Sequence, residues 1–316
     1  MAYRSTVRLV LRQHRFALVV LGIAAVLMAI DWAFVAWLHF GPIHACNVAV
    51  TQPNLTDAQM VAAAAPCAGL DFILASGSNF VLLSANFAPL FAVLIAAVPL
   101  ISSEVEFGTA TLAWTLARSR RAWLLPRLAF LMLVVLGLGL LAGLVTDALV
   151  AEVWIPGSPW ASMYAYTGRG ALITSRVLLM AAAGVFSGAL LGRQMPALMV
   201  AGALTLGIVM GISIWDSQMN MANAVPLADG ERGWTFDSRI RVLATGELVD
   251  WGMLPAEDQD PSAPGWNEHY AFVEVGIPDS QAGAVVGRNV IAYAIPMFLM
   301  LGLTFVIVER RKPYLA

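Results

Sequence analysis

Six long runs of apolar residues alternate with polar segments along the chain, at about 16–38, 80–101, 124–146, 172–192, 196–215 and 287–308. Each has the roughly 20 residues that about 30 Å of hydrocarbon demands. The pattern predicts six membrane-spanning helices. The first run is too long for a cleaved signal and no clean small-residue site follows it, so it reads as an anchor. Pro89, Pro99, Pro196 and Pro296 fall at or inside runs, as membrane helices tolerate.

The polar segments differ in charge. Arg4, Arg8, Arg12 and Arg15 precede the first run; Arg118, Arg120, Arg121 and Arg127 lie around the second link; Arg193 sits in the fourth; Arg310, Arg311 and Lys312 follow the last run. These are 12 of the 18 basic residues. An even number of spans puts both termini on that side, and basic loops mark the cytoplasm. The outside receives about 39–79, 147–171 and 216–286. The last holds twelve acids against Arg232, Arg239 and Arg241, a net −9, and its Trp234, Trp251 and Trp266 suggest a small packed unit. That charge would attract a cationic peptide or drug, although an ordinary solvated surface has the same composition. Cys46 and Cys67 share the first outside loop. An oxidising exterior predicts a Cys46–Cys67 bridge, worth about 3 kcal/mol by chain entropy.

Composition agrees with the bilayer: 59% hydrophobic, 12% charged, mean hydropathy +0.77. Lys312 is the only lysine, so the phosphate-binding G-x-x-x-x-G-K-[ST] loop is absent and the chain hydrolyses no nucleotide through one. Two cysteines and four scattered histidines give no zinc spacing. Nothing points to nucleic acid. The fold class is an all-α polytopic membrane protein: a cytoplasmic amphipathic helix over 1–15, five spans in 16–215, an extracellular domain over 216–286, then the sixth span and a tail over 287–316.

Two cytoplasmic segments carry candidate chemistry. Over residues 3–15 the four arginines fall within an arc of roughly 80° on a helix, which suits a headgroup anchor, a docking element for a partner, or both. After the second span comes Ser103-Glu104-Val105-Glu106-Phe107-Gly108-Thr109 and, further on, Arg118-Ser119-Arg120-Arg121. Ser103-x-x-Glu106 reads as a capping box, acids precede arginines as the helix dipole prefers, and a helix over 103–117 is expected. Gly108 inside it costs about 1 kcal/mol, which signals a bend or a close approach.

The runs Glu106-Phe107-Gly108-Thr109, Leu112-Ala113-Trp114-Thr115, Ser119-Arg120-Arg121 and Trp123-Leu124 resemble the segment after the second span in permeases of type-2 ATP-binding cassette (ABC-2) exporters, actinobacterial members in particular. Ala189-Leu190-Leu191-Gly192-Arg193-Gln194-Met195-Pro196-Ala197 is similar to their tight turn between spans four and five. Gly-Thr follows Glu-Phe directly here, so either Glu104 or Glu106 fills the family's acidic position. The resemblance implies a permease that pairs with a second permease subunit, identical or related. By the same resemblance, separate ATPase subunits, two copies of them, carry the ATP and Mg2+. It further implies that the helix after span two couples to the ATPase through Glu104, Glu106, Phe107, Gly108, Thr109, Arg118, Arg120 and Arg121.

Ionisable residues within spans are functional candidates. Asp31 lies about 22 Å into span one at 1.5 Å per residue, and Asp147 flanks the outer end of span three. Either pairs with Arg176, or faces a wet translocation path together with Asn86. Ser84, Asn86, Thr205 and Ser213 are otherwise expected to satisfy neighbouring backbone. The Met- and Phe-rich interior suits an amphiphilic cargo or plain helix packing. Trp32, Trp37, Trp154, Trp160 and Trp215 read as an aromatic belt. The rivals are a secondary transporter or a scaffold without an ATPase, which would show midplane charges on broken helices, and an intramembrane protease. The latter is disfavoured because His14, His39, His44 and His269 all lie at or outside span ends.

Overall fold

A computed structural model describes residues 15–41, 56–65, 71–117, 119–153, 169–228, 231, 233–263 and 265–311. Its helices are α1 (Arg15–Phe40), α2 (Asp57–Ala64), α3 (Asp71–Ala97), α4 (Pro99–Glu106), α5 (Ala110–Leu116), α6 (Arg120–Val153), α7 (Gly170–Leu191), α8 (Gln194–Ala222), α9 (Trp266–His269) and α10 (Ala282–Arg310). Six helical stretches are long and apolar enough to cross a membrane: Ala17–Phe40, Ser76–Glu106, Arg120–Ala151, Gly170–Leu191, Gln194–Ala222 and Asp279–Arg310. The molecule is therefore a helical polytopic membrane protein. The amphipathic segment over 1–14, Arg118, Cys46, Cys67, Trp154 and Trp160 lie outside the described residues.

One end of the bundle carries Arg15, Arg120, Arg121, Arg193 and Arg311 and is called the basic face; the opposite end carries a β-sheet. At the centre stands α7, the most buried span, packed against α3, α6, α8 and α10, while α1 lies across α3 and α6. The second span is built from two helices. Pro99 has no N–H and its ring crowds the carbonyl one turn earlier, so α3 stops at Ala97 and α4 begins with Pro99 at its first turn. Against this break α7 presents Gly184 and Gly188. A Cβ on Gly188 would stand 2.6 Å from the Val98 carbonyl oxygen, and one on Gly184 would stand 2.8 Å from the Ala97 Cβ. Small residues four apart let two membrane helices meet backbone to backbone.

Between α8 and α10 the chain folds as β1 (Val225–Pro226), β2 (Gly233–Val242), β3 (Leu248–Val249) and β4 (Tyr270–Pro278), all antiparallel in the order β1-β4-β2-β3. The all-α expectation thus describes the spans but not this unit. β2 runs against β4 from Gly233↔Pro278 to Val242↔Tyr270, with an irregularity between Thr235 and Asp237. Ile240, Leu254 and Trp266 form a small core with Val249 and Tyr270 packed against it, and the exposed rings of Trp251 and Phe272 stack 5.7 Å apart beside it. The Trp266 indole donates to the Asp258 carbonyl at 2.8 Å, and the Tyr270 hydroxyl donates to its carboxylate at 2.7 Å. That bond, which favours the neutral phenol, raises the Tyr270 pKa. Trp234, expected in the same cluster, instead pairs with Phe236 at 4.6 Å and packs with Ile277 on the helical core. The strand pair is seated on the bundle by these side chains.

Candidate coupling site and membrane cavity

The link after span two is not one helix. α4 ends at Glu106, Phe107 and Gly108 turn, and α5 starts at Ala110. Ser103 does not cap anything: it lies inside α4 and its hydroxyl donates back to the Pro99 carbonyl at 2.5 Å. Gly108 has φ +72°, the left-handed region that only glycine enters cheaply, and a Cβ there would meet nothing within 4 Å. Of the two expected reasons for a glycine, it is the bend and not a close approach. Phe107 stands 73% exposed at the tip of this elbow, with Thr109 beside it and Leu112 and Leu116 bare along α5.

The charged residues around the elbow bond to the chain itself, Glu104 and Arg127 largely shielded and Glu106 and Arg121 exposed. Glu104 and Arg127 form an ion pair at 3.0 Å with about 15% of each side chain exposed. The Arg127 guanidinium lies 4.3 Å from the centre of the Trp123 ring, Trp123 meets Trp114 edge-on at 6.2 Å, and Arg120 lies 4.6 Å over Trp114. Cations over indole faces are attracted by the ring quadrupole, so α5 is clamped to α6. Glu106 accepts the Gln194 backbone N–H at 3.0 Å, capping the first turn of α8. Arg120 donates to the carbonyls of Val308, Glu309 and Arg311 at 3.0, 2.8 and 2.6 Å, satisfying the end of α10. Arg121 binds the Glu309 carboxylate, and Arg311 donates to the Ala189 carbonyl at the end of α7. Gly192, at φ +66°, ends α7 and leaves room for that guanidinium, which a Cβ would strike. One elbow is therefore tied to α6, α8 and α10. Trp114, Trp123 and Arg127 belong to this assembly but were not singled out for it from the sequence; their signal was the two tryptophans flanking an arginine pair.

Within the membrane region the three path candidates do not meet. Asp31 is buried between α1 and α3, where the Ser84 hydroxyl donates to it at 2.7 Å; its other oxygen has no hydrogen-bond partner. Asp147 pairs with Arg169 at 2.9 Å. Neither pairs with Arg176, because that side chain leaves α7 towards α10: its Nε donates to the Tyr293 hydroxyl at 3.2 Å and its guanidinium carbon lies 5.8 Å from the ring centre. Asn86 does line a cavity of about 420 Å³, together with Phe87, Phe91, Arg176, Thr205 and Leu206. Its amide also donates to the Leu82 carbonyl at 2.8 Å. Thr205, expected to bond its own backbone, has a buried hydroxyl without a partner.

A second polar cluster went unread because span five was expected to end at Trp215. α8 continues to Ala222, which puts Asp216 and Asn220 one turn apart on its buried side. Arg288 binds both, Asn289 donates to Asp216 at 2.7 Å, and Arg288 also lies 5.4 Å over Trp215. The i, i+4 spacing of Asp216 and Asn220 was the available signal.

Six spans, a proline-broken second span and an elbow helix braced on the basic face define a helical polytopic membrane protein. The chain belongs to the ABC-2 membrane transporter related family, whose model matches residues 16–215, more than half of its length. It is thus a multi-pass membrane permease of the ABC exporter kind, a transport subunit. The match takes in the first five spans and stops before the sheet. No curated protein and no solved structure matches the chain.

Proposed function

We propose that this permease is driven by a separate ATPase that docks on the basic face and pushes on the elbow at Phe107-Gly108-Thr109. The basic face is then cytoplasmic in the plasma membrane, as its arginines favour, and both chain termini lie there. The supporting observation is mechanical. The elbow exposes an uncharged tip, yet the residues on either side of it are bonded to α6, α8 and α10. A displacement of the tip has to move several spans together. Turning a two-state permease from 1:99 to 99:1 takes about 5.5 kcal/mol of differential binding by a partner. ATP with Mg2+ on the partner would supply it.

The eight coupling candidates thereby divide by task. Phe107, Gly108 and Thr109 make the contact, Glu104, Glu106, Arg120 and Arg121 hold the lever rigid, and Arg118, outside the described residues, stays a candidate by resemblance alone. A second copy or a related permease would complete the path, two ATPases would serve the pair, and movement is outward. Phe107→Asp tests the docking. Because Phe107 is exposed, the variant is expected to insert and fold as the parent does, but to lose co-purification with the ATPase or its transport-linked hydrolysis at least tenfold. Parental hydrolysis coupling in that variant would leave the scaffold or secondary-transporter reading standing instead.

A further inference from the structure

We propose that the cavity between α3, α7 and α8 is a binding site for an anionic amphiphile that enters sideways from the bilayer. Arg176 is the sixth residue after the start of α7, about 9 Å along the helix, on the most buried span of the bundle. A guanidinium has five N–H donors, and only Nε is bonded to the protein, to a neutral hydroxyl at 3.2 Å. Among the described residues no carboxylate pairs with Arg176; Asp31 and Asp147, the two partners expected from the sequence, are engaged by Ser84 and Arg169. A membrane-embedded cation without a counter-charge is costly and marks function by default. It lines a cavity of about 420 Å³.

Independent of the charge, Thr205 is 3% exposed, lines the same cavity, and has a hydroxyl with no hydrogen-bond partner. A buried polar group left unbonded is expensive, and an oxygen of a ligand would satisfy it. Asn86 adds an amide to the lining from α3. The remainder of the lining is hydrocarbon and aromatic, and Phe87, Phe91 and Leu206 are half or more exposed at its mouth, which therefore opens towards lipid. An anionic head held by Arg176, with Asn86 and Thr205 completing its bonds, and a tail lying on Phe87 and Phe91, fits both halves of the site. A cation does not. The same chemistry is offered by a membrane lipid and by a single-chain carboxylate or phosphate. That the occupant is cargo rests on the export reading; that it binds does not.

The test uses the full chain in phosphatidylcholine nanodiscs, without ATPase, and photoreactive twelve-carbon probes carrying a carboxylate, a phosphate or a trimethylammonium head. Crosslinks are mapped by mass spectrometry. The anionic probes are expected to label the 86–94 and 202–209 peptides about tenfold more than the cationic one, as a charge-assisted bond implies. Arg176→Gln removes that difference and Arg176→Lys keeps it. Competition by phosphatidylglycerol would assign the site to a lipid, and competition by dodecyl phosphate alone would assign it to a free amphiphile; either supports the proposal. Equal labelling by both charges in the parent chain overturns it, even if Arg176→Gln fails to fold. So does a mouth closed to all probes because a second copy covers it, seen as dimer by light scattering. Since no ATPase is present, failure here leaves the coupling proposal untouched, and failure to recruit an ATPase leaves this one untouched.

Discussion

Glu104 and Arg127 are the residues on which the elbow's rigidity turns, and their burial sets the sign of each substitution. Removing one member of a buried pair strands the other charge, at roughly 3–5 kcal/mol, whereas replacing both with apolar side chains of similar volume is often neutral or better. Glu104→Ala should therefore lower the thermal midpoint of the purified chain sharply, and Glu104→Met combined with Arg127→Leu should restore most of it. Additive losses in the double variant would show that the pair is not what holds α4 to α6. A different residue reports on the sheet. The bond to Asp258 raises the Tyr270 pKa above that of a free tyrosine, so the stability this bond contributes is whole below the unfolded pKa of about 10 and disappears as pH rises through the folded value. Phenolate absorbance should reveal one late-titrating tyrosine, absent in Tyr270→Phe.

At the scale of elements, the two glycines Gly108 and Gly207 predict opposite outcomes. Both have open space where a Cβ would go, but only Gly108 has positive φ. Alanine at 108 forces a left-handed L-residue, costing roughly 1–2 kcal/mol; alanine at 207, inside α8, gains up to about 1 kcal/mol of helix propensity. Thermal midpoints should move down and up respectively, and like signs would mean the elbow is not a fixed turn. Glu106→Ala should cost about 1 kcal/mol, typical of a lost N-cap, and speed hydrogen exchange in the first turn of α8. The same residues show why the local reading went only so far. Ser103 and Glu106 have capping-box spacing, but Pro99 had already started a helix four residues earlier. Glu106 does cap a helix, one whose N–H is 88 residues away, and no local spacing encodes that. The bend at Gly108 was legible because it is a backbone property of one residue, and the turn at Gly192 through the resemblance, whereas the break at Pro99 was not, since Pro89, Pro126 and Pro296 sit inside continuous helices. The sheet is written in the alternation of Trp234, Phe236, Ile240 and Val242, whereas the three tryptophans by themselves suggest only a small packed unit, without strands. Pairings such as Asp147–Arg169 and Arg176–Tyr293 depend on helix rotation, which a uniformly apolar span does not specify.

For the whole molecule, the spans divide into a buried centre and a sparsely covered rim: α7 is the most enclosed, and α8 and α10 are among the least. Hydrocarbon needs no polar stripe on a rim helix, so the number and length of the spans could be read from hydropathy while the outer partners of α8 and α10 could not. What hydropathy leaves undecided is which way the bundle stands, and the coupling proposal requires the elbow inside. Thr115 on α5 and Thr245 in the turn after β2 are both exposed and lie at opposite ends of the bundle. In a chain whose Cys46 and Cys67 are replaced by serine, Thr245→Cys should react with a membrane-impermeant maleimide in intact cells. Thr115→Cys should react only after permeabilisation. Twelve of the 18 basic residues flank the ends on the Thr115 side, and short basic loops are retained in the cytoplasm, so inversion would need the charge bias to fail at every one of these loops. Labelling of Thr115→Cys in intact cells would put the elbow where no ATP-driven partner could reach it and end the coupling proposal, while the cavity at Arg176, open to lipid from the side, would keep its chemistry in either orientation.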